Sequence, residues 1–193
     1  MEDERLPHLL TASATPTGSS PTGDHPAFRD GPPARVTGGF GEDSCFACHW
    51  DGTENDGVGR LQVSGFPEEY EPGVDYELGI SLRHPELVVA GFQLAVRTRD
   101  GEAQAGALGL PDPDEGRVAI LVDREVEFAH HTVSGTEPVE NAAARWSLQW
   151  TAPETGSGTA LLHISAVAGD GDDSQMGDAV YTLELESRRQ DSP

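Results

Sequence analysis

The only two cysteines of the chain lie in the pattern Cys45-Phe46-Ala47-Cys48-His49. This spacing is the signature of covalent haem attachment, in which two thiols form thioethers with the porphyrin and the adjacent imidazole ligates iron. We therefore expect Cys45 and Cys48 to carry one covalent haem c, with His49 as the proximal iron ligand. A short-loop disulfide or a redox-active thiol pair is the alternative. A zinc site would need a second ligand pair, which the cysteines cannot supply.

The residues alone leave the sixth iron ligand open. An imidazole or a thioether on the far side of the porphyrin would complete the coordination, and the candidates are His84, His130, His131, His163 and Met176. Two imidazoles would leave no vacant position for a substrate, which favours electron transfer over catalysis. Trp50 directly follows the haem motif, and we expect its ring to cover a porphyrin edge.

The charge balance is strongly acidic, with 34 acidic against 12 basic residues and a formal net charge of −22. Such a field repels nucleic acid and anionic lipid and favours a partner with a basic docking surface. A surface adapted only for solubility or for a salty medium explains the charge equally well. Hydrophobic residues make up 36% of the chain and aromatic residues 6%, enough for a modest core.

No apolar run approaches the roughly 20 residues that a membrane span needs, and no secretory signal is visible at the start of the sequence. Covalent haem attachment normally takes place outside the cytoplasm, so we expect a periplasmic or extracellular protein that has lost its leader.

Three regions are predicted along the chain. Residues 1–37 are rich in Ser, Thr, Pro and Gly without an apolar period, which predicts a disordered tail. Residues 38–187 form the haem-binding domain, and residues 188–193 form a C-terminal tail.

The domain is predicted to consist of β-strands throughout. Tyr76, Leu78, Ile80 and Leu82 alternate with other residues at period two, as in a strand with one buried face. The same alternation places Phe92, Leu94 and Val96 on one face of the next strand, with Gln93, Arg97 and Arg99 as outward candidates. Further strands are predicted at 104–108, 117–122, 125–132, 144–151, 159–168 and 179–187. Short strands separated by Gly, Pro and Asp predict an all-β, immunoglobulin-like antiparallel sandwich.

Two other groups of residues have a structural and a functional interpretation. Trp146 and Trp150 lie four apart in a predicted strand and therefore on one face, where we expect them to pack in the core. Asp170, Asp172, Asp173 and Asp178 offer clustered oxygen ligands for a cation such as calcium. The loop lacks the spacing of an EF-hand, so an ordinary turn built from Asp and Gly is the favoured interpretation.

Several motifs occur in an order that resembles a known group of proteins: the CxxCH segment, Tyr70-Glu71-Pro72-Gly73, Ala90-Gly91-Phe92-Gln93-Leu94, Asp100-Gly101, His131-Thr132, Trp150-Thr151-Ala152-Pro153 and Gly171-Asp172-Asp173-Ser174. Together they resemble secreted bacterial proteins with a reeler-like β-sandwich after a CxxCH segment, some of them called choice-of-anchor proteins. The resemblance covers about residues 38–185. It implies a single c-type haem on an immunoglobulin-like sandwich, and it makes His131 the first choice for the distal iron ligand.

These observations predict a monohaem c-type cytochrome domain that carries single electrons to or from a redox partner. The alternative is an extracellular binding or adhesion module in which the haem is structural or absent, because a fold of this kind does not determine function. A third interpretation, an enzyme with an open iron position, would need a vacant sixth site. No phosphate loop or nucleophile elbow supports another catalytic class.

Overall fold

The computed structural model describes residues 28–99, 103–111, 115–155 and 158–190. Most of the predicted N-terminal tail, the Asp100-Gly101 turn and the last three residues of the C-terminal tail lie outside these ranges. The described part of the chain contains ten strands and two short 3-10 helices. The strands are β1 (Arg60–Ser64), β2 (Glu69–Tyr70), β3 (Asp75–Arg83), β4 (Val89–Thr98), β5 (Ala107–Gly109), β6 (Val118–Asp123), β7 (Val126–His131), β8 (Ala143–Thr151), β9 (Thr159–Gly169) and β10 (Ala179–Arg189).

The strands form two sheets. The smaller sheet has the order β1-β3-β8-β5, and the larger has the order β2-β10-β9-β4-β7-β6. All described pairings are antiparallel except that of β2 with the end of β10. This arrangement confirms the predicted all-β sandwich. Strand β2 was not predicted, because two residues are too few to show an alternation.

The main core lies between the two sheets and contains the residues that the period-two alternation predicted. Phe92 of β4 packs against Trp146 of β8 with ring centroids 4.7 Å apart. Trp150 contacts Tyr70 and Tyr76, each at 5.6 Å between centroids. Both tryptophans are almost fully buried, so the prediction that they pack in the core is confirmed. Each buried aromatic ring removes a large apolar area from water and stabilises the sandwich.

A second layer covers the outer face of the larger sheet. It consists of residues 28–49, called here the N-terminal segment, which crosses strands β4, β9 and β10 without adding a strand. Phe40 in this segment packs against His163 of β9 with the two rings tilted and their centroids 4.9 Å apart. The backbone of Gly39 lies so close to the same imidazole that an added Cβ would come within 2.4 Å of it. The larger sheet is therefore buried on both faces along β4 and β9.

Candidate functional site

An apolar cavity lies between the N-terminal segment and the end of the larger sheet where β4 begins and β9 ends. Its volume is about 170 Å³. The apolar part of its wall comes from both layers and includes Phe28, Pro32, Val36, Val89, Phe92 and Val167. An apolar cavity of about 150 Å³ in another protein holds one benzene ring. The site therefore has room for one aromatic ring or a branched aliphatic group.

Hydrogen bonds hold the backbone of the N-terminal segment against the sheet. The side-chain oxygen of Gln93 accepts a bond from the Val36 amide at 2.9 Å, and its NH₂ group donates to the Pro33 carbonyl at 2.8 Å. Farther along the segment, the amide of Cys45 donates to the Ser165 hydroxyl at 3.0 Å. These bonds satisfy buried polar groups of an irregular segment, which would otherwise be costly to bury. They also set the distance between the N-terminal segment and the sheet, which are the two walls of the cavity.

A buried ion pair joins the two layers beside these bonds. Arg97 of β4 is only 1% exposed. Its Nη2 donates to both carboxylate oxygens of Glu42 at 2.7 Å. The guanidinium lies between the rings of Phe40 and Phe128, at 5.2 Å from each centroid. A charge in this position requires its partner, because burial without compensation is strongly unfavourable.

The two cysteine thiols are free and form part of the cavity wall. Cys45 begins the 3-10 helix Cys45–Ala47, and the amide of Cys48 donates to the Cys45 carbonyl at 3.2 Å. The Ser44 side chain caps this helix by accepting a bond from the Phe46 amide. Desolvation at the cavity wall raises the pKa of the Cys45 thiol to about 11. The neutral thiol of Cys45 therefore predominates at ordinary pH.

His49 also reaches the cavity, and a carboxylate holds its ring. Nδ1 of His49 lies 2.5 Å from Oδ2 of Asp178, whose side chain is only 5% exposed. The other oxygen of Asp178 accepts a bond from the Asp170 amide at 3.3 Å. Asp178 thus connects the CxxCH segment to the loop between β9 and β10.

His131 lines the cavity from β7, and backbone groups engage both of its ring nitrogens. Nε2 lies 2.9 Å from the Phe28 carbonyl, so it carries the proton and donates. Nδ1 then accepts from the Phe92 amide at 3.0 Å. Burial is the largest cause that lowers the pKa of His131, and the neighbouring His130 acts in the same direction. The neutral imidazole fastens the start of the N-terminal segment to β4.

The four residues expected to bind haem therefore share one cavity: Cys45, Cys48, His49 and His131. Their assignment as thioether and iron ligands stays a prediction. Trp50, predicted to cover the porphyrin edge, does not line this cavity and is 59% exposed. The other candidates for the distal ligand, His84, His130, His163 and Met176, lie outside the cavity wall.

The acidic loop forms turns through its own carboxylates. Asp170 accepts a bond from the Asp172 amide at 3.0 Å, and Asp172 accepts one from the Ser174 amide at 2.7 Å. This is the pattern by which Asp side chains stabilise turns. Within the described ranges, no three His, Cys, Asp or Glu side chains are grouped so that they could hold a metal ion.

Several parts of this site could not be located from the sequence. Phe28, Pro32, Pro33 and Val36 fall in the predicted tail, yet they line the cavity. The low apolar content of that stretch gave no sign that the segment lies on a sheet. The only available signal was the pair of polar residues Gln93 and Arg97 in a strand that is otherwise apolar.

Similarity to solved structures supports one fold. The crystal structure of the Reelin-N domain of F-spondin aligns with 76% of this chain and 96% of that chain, at a TM-score of 0.52 and 25% identity. The human F-spondin reeler domain aligns with 72% of this chain at a TM-score of 0.50 and 23% identity. The chain has the reeler-domain fold. This confirms the reeler-like sandwich that the motif order predicted.

Curated relatives of this reeler-type sandwich are spondins. Spondin-1 of Gallus gallus is 32% identical over 120 residues, and Spondin-1 of Homo sapiens is 28% identical over 120 residues. Each match covers 60% of this chain and 14% of the relative, so the chain spans about one seventh of the curated relatives it matches. No protein-family model matches the chain. The predicted kinship with bacterial CxxCH proteins stays a prediction.

The comparisons contradict the cytochrome interpretation, in which a haem iron in this domain carries single electrons. The relatives are spondins, the solved structures of the same fold are reeler domains, and the described residues contain no metal-binding cluster. The prediction was wrong because it rested on the spacing of five residues, which does not show what surrounds them in the folded domain. The findings support instead the alternative of a binding module in which a haem is structural or absent.

Proposed function

We propose that this chain is an extracellular recognition module whose reeler-type sandwich binds one apolar group of a partner in the cavity beneath the N-terminal segment. The observation that carries the proposal is the cavity itself. Its surface is mainly apolar, and it lies at the end of the larger sheet. Preformed apolar cavities with a few polar groups are the usual form of binding sites.

The construction of the cavity suits the binding of one apolar group in a fixed position. Asp178 holds His49, and the carbonyl of Phe28 and the amide of Phe92 hold His131, so both imidazoles act as fixed parts of the wall. The Cys45 thiol, with its pKa raised to about 11, is a poor nucleophile near neutral pH. A wall with these properties positions an apolar group against fixed side chains.

Kinship with Spondin-1 favours an extracellular location for this module. The acidic surface is compatible with a soluble exported domain, because molecules with a high net charge of the same sign repel one another. No helix in the described ranges has both the length and the apolar character needed to cross a bilayer.

Titration with benzene, followed by amide chemical shifts, tests the cavity directly. We expect shifts confined to residues around Val36, Phe92 and Val167. Val167→Phe places a ring in the cavity from a strand position and should reduce benzene affinity by more than tenfold. Val36→Phe fills the same space from the N-terminal segment and should reduce benzene affinity to a similar extent. Val122→Phe is the matched control, because Val122 is 66% exposed on β6 and does not line the cavity.

Two results would contradict the proposal. One is benzene binding that Val167→Phe and Val36→Phe leave unchanged while both variants retain the wild-type circular dichroism. The other is an intact mass above that of the 20.5-kDa chain by a group attached to Cys45 and Cys48. Such a group would already occupy the cavity.

A further inference from the structure

We propose that the occupant of the cavity is a basic peptide segment of the partner, with an aromatic or branched aliphatic side chain next to Arg or Lys. This inference rests on the proposed function and specifies its ligand. The apolar wall selects the inserted side chain, and the charges around the mouth select its neighbours.

Four acidic residues lie next to residues of the cavity wall. Asp30 follows Arg29, and Asp51 accepts a bond from the Gly177 amide, next to Asp178, at 2.9 Å. Asp170 and Asp172 lie on either side of Gly171 in the loop between β9 and β10. All four are exposed, and in the part of the chain that the structure describes none forms an ion pair. We call these residues the mouth carboxylates.

The basic side chains near the mouth are already engaged by other carboxylates. Arg29 forms an ion pair with Asp173, and both residues line the cavity. His49 is held by Asp178. The Arg29–Asp173 pair leaves the mouth carboxylates uncompensated, so the mouth has the same sign as the protein's net charge of −22. A cation that docks here meets complementary charge, and an anion is repelled.

Exposed apolar side chains lie beside these carboxylates. Phe28 is 44% exposed although it lines the cavity, and Val88 is 53% exposed. Val88 packs on Gly171 in the acidic loop, where an added Cβ would lie 2.7 Å from the valine side chain. An extended peptide could therefore place one side chain in the cavity and lay its backbone over Phe28 and Val88. Apolar contact at the centre with charged groups at the rim is the usual anatomy of a protein interface.

Short peptides that differ only in flanking charge test the inference. The probes are acetylated, amidated tripeptides with phenylalanine at the centre, flanked by two arginines, two glycines or two glutamates. A fourth probe has alanine between two arginines. We expect the arginine-flanked phenylalanine peptide to bind about tenfold more tightly than the glycine-flanked one. The glutamate-flanked peptide and the alanine peptide should show no measurable binding.

A charge-neutralised variant identifies the source of the preference. Asp51→Asn, Asp170→Asn and Asp172→Asn combined keep the oxygen that each side chain uses as an acceptor and remove the three charges. We expect the tenfold preference for arginine to fall to less than threefold, while benzene affinity stays unchanged. The matched control combines Glu68→Gln, Glu69→Gln and Glu71→Gln. These exposed residues lie at the opposite end of the larger sheet, roughly 30 Å away by strand length, and change the net charge equally.

Salt provides an independent measurement on the unchanged protein. Raising the ionic strength from about 0.01 to about 1 M shortens the Debye length from roughly 30 to 3 Å and should abolish the arginine preference. Equal affinity for the three phenylalanine peptides would overturn the inference while leaving the apolar site intact. An equal loss of the arginine preference in the mouth and control variants would do the same. If the unchanged protein bound neither benzene nor any of the peptides, the proposed function itself would be refuted.

Discussion

Glu42 and Arg97 form a buried ion pair that joins the N-terminal segment to the larger sheet. The Arg97 side chain is 2% exposed and the Glu42 side chain 9%, and Nη2 of Arg97 lies 2.7 Å from Oε2 of Glu42. Arg35 also donates to Glu42 at 2.8 Å and to Asp123 at 2.6 Å. The Glu42 carboxylate is therefore the charge partner of Arg97 and shares Arg35 with Asp123.

Glu42→Gln should reduce the free energy of unfolding by about 3 kcal/mol, because it leaves Arg97 buried without a charge partner. Denaturant unfolding measures the change. The control is Glu186→Gln, which breaks the exposed ion pair with Arg99 and should change stability by less than about 1 kcal/mol. Equal effects of the two substitutions would show that the Glu42–Arg97 pair does not act as a buried pair.

Gln93→Leu should weaken benzene binding although Gln93 does not line the cavity. The substitution removes both hydrogen bonds to Pro33 and Val36, at a cost of about 1–2 kcal/mol, and frees the segment that forms one wall. Hydrogen exchange should show faster exchange at the Val36 amide while amides in β3 and β8 keep their protection. Unchanged exchange at Val36 would mean that other contacts hold the segment.

The two thiols should differ in reactivity toward iodoacetamide. With a pKa of about 11, Cys45 is ionised to roughly one part in 1,000 at pH 8, so it should be alkylated slowly. Mass spectrometry of partially labelled protein should find the label first on Cys48, and saturation with benzene should slow labelling of both residues. The Cys48→Ala variant, which keeps only Cys45, should then react slowly, and the Cys45→Ala variant, which keeps only Cys48, should react rapidly. Faster labelling of Cys45 would contradict the position assigned to its thiol.

The alternation of residues predicted the faces of the strands but not what covers them. Phe92, Leu94 and Val96 point into the core as expected, and Gln93 and Arg97 point away from it. Both polar residues are nevertheless fully buried, because the N-terminal segment lies over them. Period-two patterning reports which face a side chain occupies, whereas coverage of that face depends on contacts distant in sequence. Glu42 is 55 residues away from Arg97, and no local pattern connects them.

The sequence predicted the chemically unusual members of the candidate site but neither its apolar wall nor its function. The sequence singled out Cys45, Cys48, His49 and His131, and all four line the same cavity. Local spacing is enough to identify residues with unusual chemistry. The cavity's apolar wall and the bonds that hold each imidazole come from the N-terminal segment and from strands far along the chain. Electron transfer was therefore inferred from five residues without knowledge of their surroundings.

Tyr181 should titrate at unusually high pH. Its hydroxyl donates to Asp56 at 2.8 Å and accepts a bond from the Gly59 amide at 2.8 Å, and desolvation, followed by the bond to Asp56, raises the pKa of Tyr181 to about 12. Because the folded protein disfavours the tyrosinate, this contribution to stability is complete below about pH 10, the pKa of an unfolded tyrosine. It is lost as the pH rises from about 10 to 12.

Tyr181→Phe removes the hydroxyl that ionises, and the absorbance of tyrosinate during an alkaline titration measures its loss. We expect the transition near pH 12 to vanish in the variant, and the stability difference between wild type and variant to be constant up to about pH 10 and to shrink above it. Asp56→Asn is the companion variant, because it keeps an acceptor for the hydroxyl but removes the charge, and it should lower the pKa of Tyr181. Loss of absorbance change near pH 10 in Tyr181→Phe, or a titration of Tyr181 that Asp56→Asn leaves unchanged, would show that the Tyr181–Asp56 hydrogen bond does not form in solution.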